Sequence, residues 1–366
     1  MTGVGDAATE VGMPPLLVVT SILLASVLLK IALILHLDGR VYMDVARSIN
    51  YGLGIESAVI SVDTHVDNTK SFLGPLLSTA LFHLGGIGAI KLYNIVVFAC
   101  LFLVMYLIGR GRFDEPVVHI ALLLFAFYPG SHRNIVAGEI EDNTASLLFA
   151  VAILLYIQAR LVWVPSLLLG LAFLIKFWIA LFAGAVCLFL LIERRWRDLL
   201  IGAAIAPLPF IVINFVDGFG TLSSLSMTLD RQQGYSDWPL VGFKLLSTGL
   251  LIAVCASAWT LYRKRDATTR LFFLIPLVYL SYVILFRDAH AVSFVMMLCL
   301  VFAGFLIACF LTGSRLIGAA ERYGRARLAV VLGLYVLVGS AIAYHNLYND
   351  TMSFEPSPGK WAQPIG

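Results

Sequence analysis

Long apolar runs, broken by short polar stretches, set the pattern of this chain. They lie near 14–37, 72–90, 92–109, 116–130, 144–160, 164–177, 178–192, 199–216, 240–262, 270–286, 290–312 and 327–345. Most are roughly 16–24 residues long, close to the ~20 that a helix needs to cross a hydrocarbon layer of ~30 Å. The strands of a membrane barrel would instead alternate apolar and polar positions over about ten residues, and no such alternation recurs here. The pattern predicts an all-α polytopic membrane protein. The first run, about 24 residues, exceeds the h-region of a cleavable signal and reads as a retained first helix.

Composition agrees. Of 366 residues, 60% are apolar and only 13% charged, whereas a soluble domain carries about 25% charge. A water-compatible surface cannot be covered with so few charges, which excludes a soluble enzyme, a disordered chain and a basic nucleic-acid arm. Cys100, Cys187, Cys255, Cys299 and Cys309 all fall inside apolar runs, where neither a disulfide framework nor a metal cage is expected. No internal repeat is evident, so the inverted-repeat pattern of transporters finds no support.

The net charge of +3 says less than where the charges sit. Arg110 with Arg112, Arg160, the Glu193-Arg194-Arg195-Trp196-Arg197 run, Arg263-Lys264-Arg265 with Arg270, and Arg315, Arg322, Arg325 and Arg327 are natural cytoplasmic loops under the positive-inside rule. If every apolar run crossed from a cytoplasmic N-terminus, the 110–115 and 193–198 loops would fall on the wrong side. The conflict disappears if 72–90, which holds Gly74, Pro75, Gly85, Gly86 and Gly88, does not cross but lies at the outer face. About eleven spans remain, plus this non-crossing helix. The cytoplasmic side then holds fourteen of the 25 Lys and Arg but only eight of the 22 acids, namely Asp6, Glu10, Asp114, Glu115, Glu193, Asp198, Asp266 and Glu321. Most acids gather outside. The whole chain, 1–366, reads as one integral membrane domain: a core over 14–192 with an external loop 38–91, and further helices over 193–366 with an external loop 217–239.

Three constellations carry candidate chemistry. Asp38-Gly39-Arg40-Val41-Tyr42-Met43-Asp44 stands where the first helix leaves the membrane. A carboxylate there suits a base acting on a hydroxyl, or equally a cap for a following interfacial helix. In the 130–143 loop, Arg133 precedes Glu139, Glu141, Asp142 and Asn143; these acids either line a site or cap the next helix, interacting with its dipole. Lys176 lies between two apolar runs, placed either to snorkel or to hold a phosphate. Arg231, Arg287 and His290 add cations on the same face, a set suited to an anionic lipid with a sugar head. No His/Cys metal spacing is present.

In order, these features resemble the GT-C superfamily of membrane glycosyltransferases. Asp38 through Arg47 looks like the acid, aromatic, Asp-Ala-Ala-Arg pattern of polyprenyl-phosphate-mannose enzymes, with Asp38 on the second acid of their Asp-x-Asp motif and His36 in place of the first. Gly74-Pro75-Leu76-Leu77 closes the long first loop. Arg133 through Asn143 is similar to a segment of oligosaccharyltransferase catalytic subunits whose acids bind a metal; Glu141 falls on the Asp of that segment and Asn143 on its Glu, leaving a metal set incomplete. Gly170 through Lys176 follows.

The resemblance implies a GT-C-like fold and a hexosyltransferase, mannose favoured, that uses a polyprenyl-phosphate-linked sugar donor and a lipid or glycan acceptor. Asp38 would be the base of an inverting transfer. Asp44, Arg133, Glu141, Asp142, Lys176, Arg231, Arg287 and His290 would bind substrate, and no cofactor would be required, a divalent metal being the unsupported alternative. A multi-pass protein of the bacterial cytoplasmic membrane, building a cell-envelope glycan from its extracytoplasmic face, fits best; in a eukaryote the membrane would be that of the endoplasmic reticulum. A transporter or flippase of lipid-linked sugars is the alternative, which predicts charges or broken helices near mid-membrane in paired positions.

Overall fold

The computed structural model describes residues 15–37, 40–42, 45–46, 48–50, 53, 73–158, 162–216, 221–222, 225–226, 238–287, 292–313 and 322–353. The helices follow the apolar runs. They are α1 Pro15–His36, α2 Leu73–Gly109, α3 Glu115–Ala126, α4 Pro129–Ala137, α5 Ile140–Ile157, α6 Trp163–Ile175, α7 Ile179–Ile192, α8 Trp196–Ile205, α9 Leu208–Val216, α10 Trp238–Ser247, α11 Leu250–Arg263, α12 Ala267–Phe286, α13 Val292–Gly313 and α14 Arg322–Asp350. Among the described residues six stretches are long and apolar enough to cross a membrane, and α10 with α11 makes a seventh if that bent pair is one span. The shorter apolar helices α3, α6 and α7, with Ala326–Ile342 inside α14, stand where the other expected spans lie, apolar but below the length of a full crossing.

The breaks follow from backbone chemistry. Gly85 and Gly86 interrupt α2, and Gly86 has φ 62° and ψ −151°, a conformation that only glycine adopts at little cost. This break falls inside the 72–90 run and separates its first part from the apolar stretch that continues to Gly109. The 240–262 run, read as one helix, is two: Gly249, at φ 78°, lets α10 and α11 meet at 60°. The 130–143 segment, read as a loop, is largely helical, because Pro129 starts α4 and Gly138, left-handed at φ 88°, ends it.

Aromatic packing fills the interior. Phe98 stacks on Phe125 at 5.5 Å, Phe149 meets Phe302 edge-on at 5.7 Å, and Phe113 stacks on Phe305 at 4.9 Å. Large apolar side chains also face outward, Leu200 at 70% and Phe215 at 74% exposure among them, as lipid-facing surfaces require.

The basic loops meet at one end of the bundle. Lys264 Nζ donates to the Arg112 carbonyl at 3.1 Å, and Arg270 pairs with Glu193 at 2.7 Å. The opposite end carries the C-terminus of α1, the start of α5 and the α6–α7 junction. There a short antiparallel ladder joins β1 (Arg40–Tyr42) to β2 (Thr351–Ser353), with Val41 opposite Met352. The apolar pattern gave no hint of it.

Candidate active site

The site is built on the first turn of α5. Glu141, Asp142 and Asn143 are all buried there, and the residue that caps α5 is Glu139, with no side-chain capping bond. Capping, one of the two roles open to these acids, is therefore not what the side chains do. Glu141 Oε1 accepts a hydrogen bond from the Ser48 hydroxyl at 2.7 Å, and its Oε2 lies 3.4 Å from Lys176 Nζ. Asp142 Oδ1 lies 3.1 Å from the same ammonium and accepts from the Trp178 indole N–H at 3.2 Å.

Lys176 reaches both acids because the chain is extended at that residue (φ −148°, ψ 113°), just after α6 stops at Ile175. It neither snorkels to the surface nor stands as an isolated cation. Its side chain is 22% exposed while those of Glu141 and Asp142 are 4% and 5% exposed, so the ammonium forms the accessible edge of an otherwise buried acidic pair. With two carboxylates around one ammonium, the formal balance of the trio is one negative charge. Such a patch can accept hydrogen bonds from sugar hydroxyls.

Neighbouring glycines and amides hold this turn in place. A Cβ on Gly74, at the start of α2, would lie 2.8 Å from Glu141 Cγ and Cδ, so a side chain there would displace that carboxylate from its place. A Cβ on Gly138 would lie 3.3 Å from Ile90 Cγ2. Asn143 donates to the Asn94 side chain and to the Asn134 carbonyl at 3.4 Å, while Thr144 and Tyr93 share a hydrogen bond of 2.8 Å. These contacts tie α5 to α2 and α4. Ser48, Trp178 and Asn94 were not read as site residues. Asn94 did carry a signal, as a lone amide within an apolar run; Ser48 carried none.

The other expected residues fall as follows. Arg133 is half-buried on α4. Arg287 ends α12 in the left-handed region and stacks its guanidinium over Trp238 at 5.1 Å. It belongs to the same end of the bundle as Lys176, since α12 runs antiparallel to α7, with Arg270 beside Glu193 at the far end. Asp38, Asp44, Arg231 and His290 lie outside the described residues. The neighbourhood of Asp38 is nonetheless anchored on both sides: Leu37 is buried before it, as is Val41 after it.

Among the described residues both carboxylates are engaged by an ammonium, an indole and a hydroxyl, and the Asn143 –NH2 donates to Asn94 while its Oδ1 has no hydrogen-bond partner there. Among the described residues no group of three or more His, Cys, Asp or Glu converges on one point.

No protein-family model matches the chain, nor does any curated protein sequence. Solved structures do. ArnT from Cupriavidus metallidurans, bound to undecaprenyl phosphate, superposes with a TM-score of 0.60 at 13% identity, over 92% of this chain and 75% of that one. The Archaeoglobus fulgidus oligosaccharyltransferase, tethered by a disulfide to an acceptor peptide containing an NVT sequon, superposes with a TM-score of 0.57 at 12% identity, over 93% of this chain and 56% of that one. Both belong to the GT-C superfamily, and the chain shares their fold.

Proposed function

We propose that the protein transfers a sugar, mannose favoured, from a polyprenyl phosphate to a lipid or glycan acceptor on the extracytoplasmic side. The observation that carries this reading is the buried Glu141–Lys176–Asp142 cluster, set at the end of the bundle toward which the Asp38 segment leads, in a fold whose solved example holds undecaprenyl phosphate.

In this reading Asp38 accepts the proton of the acceptor hydroxyl as its oxygen attacks the anomeric carbon. The bond from that carbon to the phosphate oxygen breaks on the opposite face, which inverts the configuration and releases the polyprenyl phosphate. The departing group is already a good leaving group, so the protein's main task is to stabilise the developing charge. Arg287, Arg133, Arg231 and His290 are the cations for it. Lys176, held by two carboxylates, serves better to fix Glu141 and Asp142 toward sugar hydroxyls than to take the phosphate alone; Asp44 contributes from the first loop.

The transporter reading needs charges or broken helices in paired positions within the spans; the breaks at Gly85–Gly86 and at Gly249 interrupt helices of unlike length and neighbours, and the charge falls short as well. The cation within α1, Lys30, is committed: it is buried, donates to Ser26 Oγ at 2.8 Å and the Ala126 carbonyl at 3.0 Å, and lies 3.9 Å from the Phe98 ring centroid. That weighs toward the transferase.

The decisive experiment is transfer from polyprenyl-phosphate-mannose by purified protein in lipid. Asp38→Asn is expected to lower turnover at least 100-fold with the thermal unfolding midpoint unchanged, the upper end of general-base effects being about 10⁴. Wild-type turnover in this variant would remove Asp38 as the base. Transfer by the wild-type protein is expected to persist in EDTA.

A further inference from the structure

We propose that the groove between α11 and α12, at the basic end of the bundle, is a binding site for an anionic glycerophospholipid, its phosphodiester held by Arg265. The inference is independent of sugar transfer, because the groove and the candidate active site stand at opposite ends of α7. Lys176 and Trp178 precede that helix and Glu193, the partner of Arg270, follows it; its 14 residues span about 21 Å at 1.5 Å per residue.

Residues 264–266 make a tight connection, so α11 and α12 leave it side by side. Between them is a groove of about 390 Å³, walled by Ala258, Leu261 and Tyr262 from α11 and by Phe273 from α12, with Arg265 and Arg270 at its polar end. The walls are apolar and open toward the lipid-facing surface of α11, where Tyr262 is 73% and Ile252 63% exposed. An acyl chain fits such a wall; a soluble anion gains nothing from it.

The charges sort themselves so that one cation is left over. Arg270 is spent on Glu193 at 2.7 Å and on the Arg265 carbonyl at 3.2 Å. Lys264 turns away, onto the Arg112 carbonyl at 3.1 Å and the face of Phe113 at 4.7 Å. Asp266, the nearest acid in sequence, caps α12 by accepting from the Thr269 N–H at 2.8 Å and the Thr269 hydroxyl at 3.0 Å. Arg265 has only the Tyr262 ring, 5.9 Å away, and no carboxylate partner among the described residues. A guanidinium without a counter-ion at the mouth of an apolar groove, within a cluster of further cations, matches a phosphate carried on a hydrocarbon tail. A polyprenyl phosphate shares that chemistry. The phosphodiester of a bulk bilayer lipid is the better match, because the groove lies at the far end of the bundle from the site proposed to use the polyprenyl chain.

The test uses the full chain, purified in detergent and exchanged into micelles doped with phosphatidylglycerol, phosphatidylcholine, a polyprenyl phosphate or inorganic phosphate, read by native mass spectrometry and by thermal unfolding. The wild-type protein is expected to retain phosphatidylglycerol at least 5-fold more than phosphatidylcholine and to unfold at a higher temperature with it. Arg265→Gln should abolish that preference while unfolding, without lipid, at the wild-type temperature. Arg263→Gln, whose guanidinium stacks on Trp259 at 5.0 Å, should keep it. Equal retention of the two phospholipids, an unchanged preference in Arg265→Gln, the same stabilisation by inorganic phosphate, or tighter retention of the polyprenyl phosphate at Arg265 would each overturn the assignment.

Discussion

Lys30 and Lys176 place the same ammonium group in apolar surroundings and are compensated differently. Lys30 donates to a carbonyl at the C-terminus of α3, where the helix dipole is negative, and rests on an aromatic face; no acid is needed. Lys176 is compensated by two buried carboxylates, and removing one member of such a group leaves the rest uncompensated. Lys176→Met is therefore expected to cost about 3–5 kcal/mol, seen as a lower midpoint in thermal unfolding, and adding Glu141→Gln with Asp142→Asn should recover part of the loss. His132 sets a pH limit. It is fully buried, with neither ring nitrogen hydrogen-bonded among the described residues, and burial, reinforced by the charge on Lys30, lowers its pKa well below 6.5. The unfolded chain takes up a proton below about 6.5 and the folded chain does not, so the stability contribution is complete above that pH and is lost as pH falls through it. Unfolding titrations should show stability dropping by up to about 1.4 kcal/mol per pH unit below 6.5, and His132→Leu should flatten that slope.

At the scale of elements, what could be read from sequence follows from how local each cause is. The apolar runs place the helices to within a few residues because burial in lipid depends on composition over about twenty positions. The break at Gly85–Gly86 could be anticipated because several glycines cluster there and the loop charges demanded a change of side. The break at Gly249 could not, since one glycine in a helix costs only about 1 kcal/mol and predicts nothing alone. Glu141, Asp142 and Lys176 were each identifiable as charges out of place, yet their pairing was not, because more than thirty residues of apolar helix separate the acids from the lysine. The β1–β2 ladder was invisible for the same reason: three residues carry no periodicity, and their partners are about 310 positions away. That ladder lies two residues from Asp38. Replacing both Thr351 and Met352 by proline removes an N–H from it, because successive N–H groups of a strand point to opposite sides, and at about 1 kcal/mol per hydrogen bond transfer should fall roughly fivefold while the unfolding midpoint barely moves. A loss of the whole fold would instead make the ladder a general brace.

Across the whole molecule, charge separates the two ends. The end with Arg112, Lys264, Arg265 and Arg270 is held together by the contacts that join those loops, and the end with Glu141 and Asp142 contains the acidic cluster. The positive-inside rule predicts that the basic end faces the cytoplasm. Single cysteines at Arg112 and at Arg287, in a variant lacking the native five, should accordingly react with an impermeant maleimide from opposite sides of sealed vesicles. The ladder between Arg40–Tyr42 and Thr351–Ser353 has a further consequence, in time. During synthesis the first loop emerges early, but its strand has no partner until every intervening helix has been made and inserted. A translation intermediate halted before residue 351 therefore holds the acidic turn of α5 and its lysine already assembled beside an unpaired first loop. If the proposed transfer depends on the paired first loop, competence for it is acquired in a single late step of biogenesis and does not build up helix by helix.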